Sequence, residues 1–116
     1  MKTLGTYQRR AFLKDHPPVM ERALLGSTGD EQTLLAGTVL GLENDGKQYP
    51  YVSGLEAQSI LVEDVIVPES GDLYALTYVH VAVVAPELVW GEGVTATQQK
   101  AALEELRLKG IYAAEA

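Results

Sequence analysis

The segment that most constrains the fold is Leu73–Val84, twelve positions in which both alternating faces are mostly apolar. A strand presents successive side chains to opposite faces, so a run of this kind must be covered on both sides. Its own core covers one face, and a neighbouring subunit is the candidate cover for the other. The spacing therefore predicts a central strand. The longest apolar stretch, residues 73–86, is short for a bilayer helix and is interrupted by Thr77 and His80, so no membrane span is predicted.

The rest of the chain is organised as short β-branched runs between turn residues. Residues 34–41 lead into Glu43-Asn44-Asp45-Gly46-Lys47, and Asp-Gly followed by residues 48–52 predicts a hairpin. Pro50 cannot donate to a central ladder, which places this pair at a sheet edge. Residues 59–67 are apolar on both sides of Glu63-Asp64, consistent with two short strands joined at a bend, or one strand with a bulge. Residues 68–72 then turn the chain. One helix is predicted, near residues 96–109. Thr95-Ala96-Thr97-Gln98 has the Thr-x-x-Gln form of a capping box, and Ala102, Leu103 and Leu106 share a face with Lys100, Glu104, Glu105 and Arg107 left to water. Lys109-Gly110 supplies the C-terminal cap before Ile111-Tyr112 returns as an extended tail. The expected fold class is mostly β, or α+β: a small single domain of short strands in a compact barrel-like or sandwich-like sheet, with one C-terminal helix.

Charge divides the chain differently. Lys2, Arg9, Arg10 and Lys14 against Asp15 give residues 1–18 a charge of +3, whereas residues 19–116 carry 5 basic and 15 acidic side chains, or −10. The leader ends in His16-Pro17-Pro18, where each proline removes an amide donor and biases its predecessor away from helix, so residues 1–18 are expected to be an extended basic arm on a β-rich body. Within the arm, Tyr7, Phe12 and Leu13 interleave with Arg9, Arg10 and Lys14. That pattern suits nucleic-acid stacking, or addition as a strand to an acidic or edge-exposing protein. A body at −10 repels phosphate, which makes protein the expected partner and nucleic acid not.

Bond-making chemistry has no visible apparatus. At 116 residues and 47% apolar composition the chain suits one core, and the absence of cysteine excludes disulfides, thiolate metal sites and Cys nucleophiles. The N-terminus has no apolar signal-peptide core, and synthesis inside the cell is the expected course. Residues 41–48 imitate a phosphate-binding loop, but Gln48 stands where magnesium needs Ser or Thr and no helix follows. Residues 91–96 imitate a dinucleotide fingerprint, yet the chain ends without the second strand and ribose-binding acid such a unit requires. His16 and His80 have no partner at metal-ligand spacing, and adjacent acids such as Glu63-Asp64 point to opposite faces of a strand. No enzyme activity, cofactor, metal or small-molecule substrate is expected. Tyr78, His80 and Trp90 are the candidates for an oligomer interface, with core histidine and core lid as the competing readings of His80 and Trp90.

Three blocks in order carry a resemblance. Leu35-Ala36-Gly37-Thr38-Val39-Leu40-Gly41, then Ile60-Leu61-Val62-Glu63-Asp64-Val65, then Gly93-Val94-Thr95 continuing through Ala101-Ala102-Leu103 to Lys109-Gly110-Ile111-Tyr112, look like the lambda-type bacteriophage head decoration proteins. The sequence departs from the family pattern at residues 78–83, and residues 1–33 match only in general character. The resemblance implies a β-tulip-like domain that assembles as a homotrimer on the outside of an expanded capsid, made in the host cytoplasm and carried on the virion. There it would bind the major capsid protein, hold the shell against the pressure of packaged DNA, and order its N-terminal segment on attachment, without catalysis or cofactor. Tyr7, Arg9, Arg10, Phe12, Leu13 and Lys14 are then the expected capsid-binding residues. The alternative from another class is a small β-barrel ligand-binding or assembly module.

Overall fold

The structure is a computed structural model that describes residues 18–114. Eight strands and one α-helix follow in the order β1 (Val19–Leu25), β2 (Gln32–Leu34), β3 (Val39–Leu42), β4 (Gln48–Pro50), β5 (Glu56–Leu61), β6 (Val65–Val67), β7 (Leu73–Val84), α1 (Ala96–Leu108) and β8 (Ile111–Ala114). A single 3₁₀ turn, Ala85–Glu87, follows β7, where Pro86 ends the ladder.

Strands β1, β4, β3, β5 and β7 close into a five-stranded barrel, because β1 also pairs with β7; β8 adds beside β7 as an extra strand. The predicted central strand organises the whole. Its first half runs antiparallel to β1 from Leu73↔Leu25 to His80↔Val19, and its second half runs parallel to β8 from Val81↔Ile111 to Val84↔Ala114. One strand thus spans both the barrel and the layer that the helix covers. Strand β1 was not anticipated, since Glu21-Arg22 at its centre interrupts the apolar alternation that marks its neighbours.

The predicted hairpin is present as β3–β4, its turn closed by Glu43 N–H donating to Lys47 O at 2.9 Å and by Gly46 at φ +84°. Its place at an open sheet edge is corrected: Gly26 N–H donates to Gln48 O at 3.1 Å, so β4 joins β1 and seals the barrel. Pro50 is accommodated because it lies beyond that contact, in register with Leu40 of β3. The bend at residues 62–64 separates β5 from β6, and β6 pairs with β2 as a two-stranded flap.

Two clusters form the core. Leu25, Leu40, Leu61, Val67 and Ala75 pack with Leu34 of the flap, while Ile60, Val81, Val83, Ala102, Leu106 and Ile111 pack beneath α1. Burying each of the Leu and Ile side chains stabilises the fold by roughly 1.5–3 kcal/mol. The capping box forms as the sequence predicts, with Thr95 Oγ1 accepting from Gln98 N and Gln98 Oε1 accepting from Thr95 N, an arrangement worth about 1 kcal/mol. Gly110 holds φ +101° after the helix, and a Cβ there would lie 2.4 Å from His80 Cδ2. Glycine is required there both for the left-handed turn and for the approach to β7.

One helix residue departs from the expected pattern. Glu105 does not simply face water: it is half-buried, and its Oε1 accepts from Ala57 N at 2.9 Å. One turn later, Lys109 Nζ donates to Ala57 O at 3.0 Å and to Glu56 Oε2 at 2.6 Å. The register between β3 and β5 shifts between Leu40 and Gly41, opposite Ser59 and Ala57. Two side chains spaced i, i+4 on α1 therefore satisfy both backbone groups of Ala57 beside an irregular stretch of ladder.

Candidate functional site

The arm residues Tyr7, Arg9, Arg10, Phe12, Leu13 and Lys14 lie outside the described residues. What the fold fixes is the point from which they start. Val19, the first residue of β1, is paired with His80, so the leader joins the body at the middle of β7. His80 is exposed, which excludes a core role, and its ring meets Tyr112 of β8 edge to face at 6.4 Å.

The three residues proposed for an oligomer interface are not brought together. Tyr78 belongs to the chain's own core at 5% exposure, and Trp90 is half-buried against that core, edge to face with Tyr51 at 6.1 Å. Burial raises the Tyr51 hydroxyl above its ordinary pKa, with the Glu105 carboxylate adding to the rise. Trp90 thus acts as a core lid within the chain.

A different set of side chains does form a patch. Tyr74 and Leu76 alternate outward from β7 at 61% and 41% exposure, and Met20 of the paired β1 is exposed at 47%. Arg22, opposite Leu76 in register, holds its guanidinium carbon 5.3 Å from the centre of the Tyr74 ring, a cation–π arrangement. The second face of β7, expected to need a cover, is bare at these positions on the single chain. Tyr74 and Leu76 of the Leu73–Val84 run carried that signal in the sequence; Met20 did not, because β1 had no strand signature of its own.

Polar residues tie the β3–β4 turn to the rest of the barrel. Lys47 Nζ lies 2.8 Å from Asp72 Oδ2, and Asp72 Oδ1 accepts from Ser27 N at 3.0 Å. Asp45 accepts from Lys47 N at 2.8 Å and from the Tyr49 hydroxyl at 2.8 Å. The ammonium of Lys47, then the Ser27 amide, hold the Asp72 carboxyl below its ordinary pKa; the Lys47 amide and the Tyr49 hydroxyl do so for Asp45. Both groups favour the folded turn when ionised. Their contribution is present above the unfolded value of about 3.8 and is lost as pH falls through the lower folded values. Acidification into that window should therefore lower the protection of the Ser27 and Lys47 amides against hydrogen exchange, and Asp72→Ala, which removes the acceptor, should lower that of Ser27 at neutral pH. Unchanged protection in both cases would remove the network from the account.

Among the described residues no group of three or more His, Asp or Glu side chains is placed to hold a metal ion, and no helix is long and apolar enough to cross a membrane. The sequence model of the family described as bacteriophage lambda head decoration protein D matches residues 10–111. The chain belongs to that family. No curated protein sequence matches it. Membership in the head decoration family implies a structural role as a virion component that binds the phage capsid. The match starts at Arg10 and so takes in residues 10–18 together with β1 to β7, the helix and the first residue of β8.

Proposed function

We propose that this decoration protein binds as a trimer to the outside of an expanded phage capsid and stabilises the shell against the internal pressure of packaged DNA, with the basic leader as its attachment segment. The observation that carries the reading is the family match over residues 10–111, on a chain whose +3 leader is joined to a −10 body. The body supplies shape, and the leader supplies attachment: part of residues 3–14 adds as a strand to the capsid protein, while Arg9 and Arg10 pair with its carboxylates. An 18-residue leader reaches at most roughly 60–65 Å when extended, longer than the 42 Å greatest extent of the described body. Three leaders on one trimer engage at raised effective concentration, so weak single attachments combine into a firm one. No step in this role makes or breaks a covalent bond.

The trimer reading draws on the bare outer face of β7. Met20, Tyr74 and Leu76 present apolar and aromatic surface that a neighbouring copy would remove from water. Of the three residues named from the sequence for an interface, Tyr78 is buried in its own chain, Trp90 is half-buried there, and His80, though exposed, lies across the register shift from the face of Tyr74 and Leu76. The test is the solution mass of the wild type and of Leu76→Lys, which places an ammonium in the middle of that face. A trimer that dissociates on substitution is expected, with the circular dichroism of the folded body retained. A monomeric wild type, or an intact Leu76→Lys trimer, would overturn the assignment of this face.

A further inference from the structure

A cleft of about 370 Å³ is lined by Gln32, Glu43, Tyr49, Val52, Leu55 and Glu92, among others. Its charged lining residues are Glu43 and Glu92, both acidic and exposed, and neither forms an ion pair with a described residue. Lys47, the basic residue on the same hairpin, is committed to Asp72 at 2.8 Å and does not neutralise them. Gln32 Oε1 is buried and has no hydrogen-bond donor among the described residues. Apart from Thr28, the remaining side chains of the lining are apolar, with Val52 exposed and Leu55 half-buried. Tyr49 is fixed: a Cβ on Gly26 would lie 2.3 Å from its Cζ, so the ring rests directly on that backbone, and its hydroxyl is held by Asp45.

We propose that this cleft receives an arginine side chain carried on an extended segment of a partner protein. Two carboxylates and an unpaired carbonyl demand a cationic group rich in donors, and the apolar walls demand a long aliphatic stem beneath it. An immobilised tyrosine ring favours a flat head that can stack, which a guanidinium has and an ammonium does not. The −10 body attracts basic segments from a distance and so raises the encounter rate. This contact is separate from the leader and does not rest on the trimer or capsid reading, because the cleft is built within one chain.

The test is titration of the 116-residue protein with acetyl-Gly-Arg-Gly-amide, followed by backbone amide shifts. Saturable shifts confined to residues 49–55 and 91–92 are expected. Binding should weaken by roughly tenfold or more when citrulline, which keeps the shape and loses the charge, replaces arginine, and by a similar factor in Glu43→Gln/Glu92→Gln. Both glutamates are exposed, and glutamine keeps their shape, so the double variant should fold as the wild type does. Equal binding of the citrulline peptide, equal binding by the double variant, shifts spread over the whole acidic surface, or full displacement by spermidine would each overturn the assignment.

Discussion

A chain beginning at Val19 is expected to remain folded yet lose attachment to the capsid. The barrel begins with β1, whose pairing to β7 runs from Val19 to Leu25, so removing residues 1–18 leaves every described strand in place. On the proposed attachment, the body left behind carries −10 and would repel the capsid carboxylates with which Arg9 and Arg10 pair in the intact chain. Losing the strand-forming segment on three chains together multiplies the loss, since avidity of linked sites exceeds single-site affinity by about 10²–10⁴. Co-sedimentation with decoration-free expanded shells reads the effect, with amide spectra confirming the fold. Charge reversal at Arg9 and Arg10 in the intact chain should reproduce much of it. Attachment undiminished by truncation would remove the leader from the mechanism and transfer the contact to the body.

Leu106→Ala should be the most damaging single substitution in the helix. Leu106 is fully buried and packs with Ala102 and Ile111 in the cluster that joins α1 to β5, β7 and β8. Truncating a buried leucine removes its transfer free energy and leaves a cavity, costing about 2–5 kcal/mol. A domain of this size is stable by about 5–15 kcal/mol in total, and a loss near 3 kcal/mol lowers the melting temperature by roughly 10–15 °C. Leu108, two residues on, is 81% exposed, and Leu108→Ala should change stability by less than about 0.5 kcal/mol. Thermal melts of the two variants make the comparison. Similar losses from both would contradict the placement of the helix on the sheet.

The elements legible in the sequence were those whose signals are local. The capping box at Thr95, the Asp45-Gly46 turn and the apolar run of β7 each depend on a few adjacent residues, and each stands where its residues predict. What escaped depends on pairings distant along the chain. Strand β1 is held by a partner 48 to 61 residues away, so Glu21 and Arg22 are tolerated at its centre although they break the local pattern. Pro50 marks an edge by its own chemistry, but the barrel closes through Gly26 and Gln48 without needing its amide. Glu105 has every local mark of a solvent-facing residue, and its role follows from an irregular ladder register in β5. The outer face of β7 was anticipated as a surface needing cover, whereas its membership was not, because only the register with β1 brings Met20 and Arg22 beside Tyr74 and Leu76.

The most direct measurement is cryo-electron microscopy of expanded, decoration-free phage shells incubated with the protein. The account predicts three-fold-symmetric density on the outer surface into which three copies of the barrel fit, with the leader continuing from Val19 toward the capsid protein. Shells that stay bare, or single barrels bound without three-fold symmetry, would contradict it.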